Sequence, residues 1–465
     1  MVEKSFAHAL RRGLGSAIVE LKNNPAREKY RDIVVRCCLM DIAYDTQVEG
    51  TKGYYLYTAV KTFDAPEIFL RSIAEKFAKK LYWRLSEQLY DILCCFSNDG
   101  YKIAGEALEK KYNDLKKRLP AMRNYDKGYC EREQLEKLMI RKTNDDFESF
   151  KQCVNDMGEM IIKRGNDDCL WYDWFLTDAE DKFGKKIFDF MKRAENKNIS
   201  AFYQAYKKSK SDENNKPDSF KIMTLDDLWQ NYRPQRNVSR EERVTIEQLI
   251  SRANDLSMGK GHSPFRISLL SRKFARQAKK KELEALARAA LNEPSDFIKT
   301  ALLHTFSFVD FPLDFELLFA YTHSGNEHLR EVAAKVLSRF KDKRIHALAL
   351  QLFYDGQPEN ALTILEANFE IEDEALIRKH ILCSKRVSHS MITSIIGIYE
   401  RNKSNTCGDI LLHFYRNAKC THCRCDIVET MIKNDVMPQE ILEECQYDSY
   451  DETRKIATER LISSK

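Results

Sequence analysis

The scarcity of turn-forming residues constrains this chain most. It has 16 glycines and 10 prolines in 465 residues, roughly half the share usual in a soluble protein. Strand-rich folds need many tight turns, and tight turns draw on those two residues. A chain with so few of them turns sharply only rarely and spends its length in long helices. Hydrophobic residues make up 43% and charged residues 32%, which supplies packed cores and excludes a disordered chain. The reading is all-α, with room for two or three domains or one extended array of repeats.

Charge and cysteine use narrow the setting. The formal net charge of +5, from 76 Lys and Arg against 71 Asp and Glu, permits an acidic partner without requiring one. No apolar run approaches the ~18 residues of a membrane span. The first segment, MVEKSFAHALRRGLGSAIVEL, carries Glu3 in an amphipathic pattern, which argues against a signal peptide. The 13 cysteines include the adjacent pairs Cys37–Cys38 and Cys94–Cys95, whose side chains diverge on a helix and do not readily bridge. Most are expected to be buried thiols in a reducing, cytoplasmic setting.

Residues 1–206 read as amphipathic helices: Phe6, Leu10, Leu14, Ala17 and Leu21 recur at helical spacing, as do Ile68, Ile73, Phe77 and Leu81. One helix is expected to end and another to begin near Ser200. A polar stretch at 207–220 and the segment NYRPQRNVSREER, with a Ser239–Glu242 capping box, predict a linker or exposed loop over 207–240. Residues 241–465 form the remaining region. There EPSDFIKTALLHTF (293–306), SGNEHLREVAAKVLSRF (324–340) and DSYDETRKIATERLI (448–462) share a polar turn, a basic residue and a small-apolar helix; IEDEALIRKHIL (371–382) is a looser fourth copy. Lys299 and Arg330 stand 31 residues apart, with Arg378 and Arg454 in comparable places at irregular intervals. Polar residues cap the second helix of each pair, and Ala301, Ala333 and Ala334 let it approach its neighbour closely. The stretches LDFELLFAY (313–321) and IHALALQLF (345–353) suit the first helices.

These segments resemble HEAT repeats, which build right-handed superhelical stacks; an irregular bundle with coincidental turns is the plainer alternative. Two further pairs of segments look like parts of an uncharacterised group of bacterial HEAT-like proteins: FAHALRRGLGSAIVEL with YDTQVEGTKGYYLY, and NAKCTHCRCDIVETMIKN with ILEECQYDSYDETRKIA. That resemblance implies architecture and a bacterial setting, and carries no activity. The group tends to show two cysteines two residues apart and a third on the next helix, which map onto Cys420, Cys423 and Cys445; Cys425 is additional.

Four places carry candidate chemistry. Cys420-Thr-His-Cys423-Arg-Cys425 holds a C-x2-C, the commonest half of a tetrahedral zinc site. Its other half would have to come from Cys445 with His413 or Cys425. A redox dithiol at a helix N-terminus and simple buried thiols compete with this reading. In the segment 44–52, Asp45, Gln47 and Glu49, with Lys52, could gather around a cation or substrate, whereas Thr46 with Glu49 also fits a capping box in a plain helix connection. In WYDWF, Trp171 and Trp174 flank Asp173, as in a cradle for a nucleobase or cation. HEAT-like alkylpurine DNA glycosylases use such residue types, yet Trp171, Trp174 and Phe175 equally suit the core face of one helix. Finally, FRISLLSRKFARQAKKK (265–281) carries Arg266, Arg272, Lys273, Arg276, Lys279, Lys280 and Lys281 and no acid. On one helix, Ile267, Leu270, Phe274 and Ala278 would be buried, leaving a basic strip able to follow a phosphate backbone or merely to meet solvent.

The Gly13-Leu14-Gly15 segment lies in a helical pattern and lacks the strand a dinucleotide-binding turn needs; close helix packing is the expected reason for its small residues. There is also no G-x-S-x-G, Walker lysine or H-E-x-x-H motif, and no catalytic nucleophile can be nominated. The expectation is a non-catalytic scaffold whose stacked helices hold a protein partner in a groove. The alternatives are a nucleic-acid-binding protein, in the manner of a DNA glycosylase, or a zinc- or thiol-dependent protein centred on Cys420 and Cys423. A mixed-charge groove would favour a protein partner; a basic one would favour nucleic acid.

Overall fold

The computed structural model describes residues 1–45, 48–121, 125–144, 146–165, 173–214, 243–257, 264–383 and 387–463; at 121, 125–129, 211–214, 256, 257 and 264–266 it describes the main chain only. Among the described residues there are helices and their connections and no strand, so the chain is all-α. It divides into two compact units, one of Met1–Pro234 with Tyr447–Ser449, the other of Gln235–Gln446 with Tyr450–Lys465. The stretch expected as a linker begins at 207, whereas its first residues continue the helix Lys197–Asn214. The Ser239–Glu242 box lies outside the described residues.

The first unit contains α1 (Glu3–Arg12), α2 (Gly15–Asn23), α3 (Arg31–Cys38), α4 (Gly53–Val60), α5 (Glu67–Phe77), α6 (Trp83–Asn98), α7 (Lys102–Arg118), α8 (Tyr125–Lys142), α9 (Phe147–Arg164), α10 (Asp173–Phe183), α11 (Lys186–Arg193) and α12 (Lys197–Asn214). The first apolar stripe is buried at every expected position, but it belongs to two helices. Gly13, at φ 75°, is in the left-handed region and terminates α1, which is where a residue without Cβ is least costly. The second stripe is shifted in phase: Ile68 is exposed, and Phe69, Leu70, Ile73 and Phe77 make the core face of α5. The next helix boundary falls near Asn196 rather than Ser200, because the Asn196 side chain accepts hydrogen bonds from the amides of Asn198 and Ile199 and starts α12 there. Rings pack together between α9, α10 and α11. Phe150 stacks on Phe147 and Phe175 at centroid separations of 5.6 Å, and Phe183 and Phe190 meet Phe147 edge-on.

Buried polar side chains in this unit finish the ends of neighbouring helices. A helix terminus leaves main-chain groups unpaired, and burial makes an unpaired group costly. Gln88 of α6 donates to the carbonyls of Cys38 (3.1 Å) and Met40 (2.8 Å) at the end of α3. Lys111 of α7 donates to Phe77 and Lys79, both at 2.9 Å, at the end of α5. Glu136 of α8 accepts from the Phe175 amide at 2.9 Å, at the start of α10. Each long-range bond fixes one helix relative to another.

The second unit contains α13 (Ile246–Ser257), α14 (Pro264–Gln277), α15 (Lys280–Asn292), α16 (Asp296–Leu303), a 3-10 helix (Phe315–His323), α17 (Glu327–Leu337), α18 (Lys343–Tyr354), α19 (Pro358–Asn368), α20 (Glu374–Ile381), α21 (His389–Arg401), α22 (Gly408–Asn417), α23 (Thr421–Lys433), α24 (Gln439–Cys445) and α25 (Asp451–Ser463). Helices α16, α17, α19, α21, α23 and α25 pack each on the next, and α18 with α19, α22 with α23 and α24 with α25 form hairpins. Side-chain caps set several starts of the stacked series: Ser295 for α16, Asn326 for α17 and Ser388 for α21. Helix-to-helix hydrogen bonds recur between residues 31 apart, as from Ser390 to Glu359 (2.9 Å) and between Thr363 and Ser394 (3.2 Å).

This order corrects the register expected for 371–382. Helix α20 lies between stacked helices α19 and α21 in the chain, so Arg378 is not equivalent to Lys299 or Arg330; it pairs with Asp409 instead, at 2.7 Å. The apolar stretch at 313–321 forms a 3-10 helix rather than an α-helix. Two asparagines tie their level to the one before it. The Asn368 amide donates to Phe340 O at 2.8 Å while its oxygen accepts from Asp342 N at 3.0 Å. Asn434 repeats the arrangement with Tyr399 O at 3.1 Å and Ser404 N at 2.8 Å.

Candidate functional site

A concavity of about 630 Å³ lies on the open side of α17, α19 and α21 in the second unit. Because Cβ positions three and four residues apart share a helix face, Glu331 and Lys335 project from α17, Glu359, Thr363 and Glu366 from α19, and Ser390, Thr393, Ser394 and Arg401 from α21. Ser338 and Arg339 follow α17 at the same rim. Ser394 is buried at the base and donates to Glu366 Oε1 at 2.9 Å. Burial raises the Glu366 carboxyl above its usual range, opposed by that hydrogen bond and by Arg401. Gly397 lies beside the carboxylate, where a Cβ would stand 3.4 Å from Glu366, an ordinary contact. Arg401 donates to the Glu366 main-chain oxygen at 3.0 Å, while Arg339 reaches Asp310 at 2.9 Å. The groove therefore presents hydroxyls, carboxylates and cations together. Sequence inspection missed it because its residues come from three helices whose register becomes visible only in the stack.

The basic segment does not form one strip. Helix α14 ends at Gln277, and α15 begins at Lys280. Glu282 draws the break, accepting from the Lys279 amide and from Arg243, both at 2.7 Å. Ile267 and Phe274 are buried as expected, together with Ser271, but Leu270 and Ala278 are only half-buried. Arg272 and Arg276 are exposed on α14 and Lys273 is half-buried, whereas exposed Lys279, Lys280 and Lys281 lie at and beyond the break. Arg272 sits over the Phe308 ring, 5.8 Å from its centroid. The side chain of Arg266 lies outside the described residues.

In the 44–52 segment Gln47 and Thr46 lie outside the described residues, and the Asp45 carbonyl accepts from the Glu49 amide at 2.9 Å. Glu49 and Lys52 form a buried ion pair at 3.5 Å, with side-chain exposures of 1% and 2%. Glu49 also accepts from the Tyr44 amide at 2.9 Å, and Lys52 donates to Ile42 O at 3.1 Å. Arg84 donates to Glu49 O at 2.6 Å, and Thr51 bonds to Asp91, both partners being on α6. The acid and the lysine are thus directed into the connection between α3 and α4, holding it against α6.

Trp171 lies outside the described residues. Trp174 is 61% exposed, so it does not share the core face of α10; Phe175, Leu176 and Ala179 make that face. The reason is phase, since adjacent helical residues point about 100° apart, and it is Phe175 that stacks on Phe150. Asp173 pairs with Lys210 at 3.2 Å. Burial pushes the Glu136 carboxyl beneath α10 up to about 7, against the amide hydrogen bonds of Phe175 and Trp174 and with the help of Asp173 and Glu133. A carboxyl with a raised folded-state pKa stabilises the fold below its unfolded value and loses that contribution as pH rises through the folded value. Unfolding of the wild type should therefore become easier between pH 4.5 and 7, by up to about 3 kcal/mol relative to Glu136→Gln. Urea titrations of both proteins across that range check this; parallel pH profiles would contradict it.

The cysteine cluster separates into distinct places. Cys420 holds the N-cap position of α23, without a capping bond from its side chain, and Cys423 lies in the first turn. Their sulfurs and a nitrogen of His389, the first residue of α21, all lie within 4.8 Å of one another, and Cys423 Sγ is 3.0 Å from His389 Nδ1. Cys445 instead lies with its sulfur 3.5 Å from the Tyr415 hydroxyl. Cys425 is buried on α23 but is not in the His389 group, and His422 packs on the Tyr450 ring, 4.5 Å between centroids. His389 was not legible as a partner, being more than 30 residues away with nothing in its local sequence to mark it. All described cysteines are free thiols, and no helix among the described residues is long and apolar enough to cross a membrane.

No family model matches the chain, and no curated protein matches it. The described residues form an all-α protein with a polar groove across α17, α19 and α21.

Proposed function

We propose that this is a non-catalytic interaction protein, its second unit a HEAT-like α-solenoid that holds a segment of a protein partner along the α17–α19–α21 groove. The carrying observation is the mixed lining. Glu331, Glu359 and Glu366 lie among Lys335, Arg339 and Arg401, with Thr363, Ser390, Thr393 and Ser394 between them. A polyanion would meet three carboxylates there, with like charges opposed; a polypeptide of mixed charge can satisfy both signs and use the hydroxyls for its main-chain groups. Successive helix pairs supply such extended surfaces in repeat proteins. A reducing cytoplasmic setting accords with the free thiols.

The test is capture from native cells by a photo-crosslinker at Thr393, compared with one at exposed Ile162 of the first unit. A partner should be recovered specifically from Thr393, and Lys335→Glu with Arg401→Glu should weaken its binding about tenfold or more, the ~1.4 kcal/mol of one lost charge contact. Arg272→Glu with Arg276→Glu and Lys280→Glu should leave it unchanged. Equal capture at both positions would overturn the reading. So would salt-sensitive binding of DNA or RNA abolished by the last triple change.

A further inference from the structure

We propose that His389, Cys420 and Cys423 form a site for a thiophilic divalent metal of the zinc class, with its fourth coordination position open to solvent. The argument begins with the helix. Cys420 occupies the N-cap of α23, with φ −74° and ψ 129°, and Cys423 follows three positions later in the first helical turn. That spacing aims both sulfurs to one side. The stack then supplies a third donor, because α21 packs on α23 and begins at His389.

The donor set has the right chemistry and nearly the right size. Two thiolates and an imidazole suit zinc, whose bonds to sulfur and nitrogen are about 2.3 and 2.1 Å, placing tetrahedral donors about 3.6–3.8 Å apart. The three donors already fall within 4.8 Å. Opening the 3.0 Å contact between Cys423 and His389 by well under 1 Å admits the ion. Cys420 and Cys423 are buried, with 7% and 3% exposure, whereas His389 is exposed. The open side of the tetrahedron therefore lies beside the histidine, where water takes the fourth position. A metal here would link two successive stacked helices and release protons as the thiols ionise.

The experiment uses the full chain purified under reducing conditions, stripped with a chelator, and then titrated with zinc and separately with cobalt as a spectroscopic probe. About one equivalent of zinc should remain after dialysis, and cobalt should give a thiolate charge-transfer band with the intense visible absorption of tetrahedral coordination. Cys420→Ser with Cys423→Ser should abolish both signals. His389→Ala should weaken zinc binding by more than the roughly 10- to 100-fold that loss of an outer hydrogen-bond partner costs. Cys425→Ser and Cys445→Ser should retain the metal; circular dichroism establishes that each variant is folded. The proposal fails if the unaltered chain holds no more zinc than the double variant. It fails equally if the metal follows Cys425 or Cys445, or if the native protein instead carries a disulfide between Cys420 and Cys423.

Discussion

Gly158→Ala should destabilise the first unit by about 3 kcal/mol or more, at the upper end of what overpacking costs. A Cβ at this position would lie 1.7 Å from the Asn198 carbonyl oxygen and 2.3 Å from its carbon. Those are main-chain atoms at the start of α12, which the Asn196 side chain already holds in place. No rotamer change can relieve such an overlap, so α9 and α12 must separate. Separation would uncover Val154, Met157 and Phe202, which are buried. Chemical denaturation monitored by near-ultraviolet circular dichroism tests this directly. The control is Gly105→Ala, where the nearest atom to the added methyl is the Ser97 hydroxyl at 3.2 Å; that change should be nearly neutral, because a hydroxyl can rotate away. Equal midpoints for the two variants would refute the close approach of α9 and α12.

Lys52→Met should cost about 3–5 kcal/mol, the range for removing one partner of a buried ion pair. The loss comes mainly from what remains: Glu49 stays in a site with 1% side-chain exposure. It retains the Tyr44 amide at 2.9 Å but has lost its ammonium neighbour. Glu49→Leu combined with Lys52→Met should recover much of the stability, since replacing both partners with apolar side chains is often neutral. The measurement is a double-mutant cycle by urea denaturation. If Lys52→Met alone were as stable as the wild type, the pair would not be buried in solution. The outcome also decides between the two sequence readings of this segment. A ligand-gathering loop would gain stability from added cations in the wild type, whereas a structural staple would be indifferent to them.

Together these two experiments probe how polar and small residues, rather than the apolar stripes, position the helices of the first unit. The stripes determine which face is buried. Gly158 sets how near α12 can come, and Glu49, Lys52, Gln88 and Lys111 determine where helix ends and connections rest.

Much of this arrangement is legible in the amino-acid sequence, and the reason is local. Few glycines and prolines with helical apolar spacing dictate all-α structure, since both act through neighbouring residues in the chain. The polar turns before α16 and α17 were legible for the same cause: Ser295 and Asn326 cap these helices through amides three positions away. What tertiary structure alone decided is every feature that depends on the phase between helices. Trp174 and Phe175 are adjacent, yet only packing against Phe150 selects which one is buried. Arg378 looked like Lys299 until α20 proved to lie between stacked helices. Glu282 and Arg243 divide a basic segment that periodicity alone had joined. His389 meets Cys423, and Ser390 meets Glu359, across a separation that no local pattern encodes, because contact between successive levels is set by the repeat length and by the rotation each helix takes when its core face is buried.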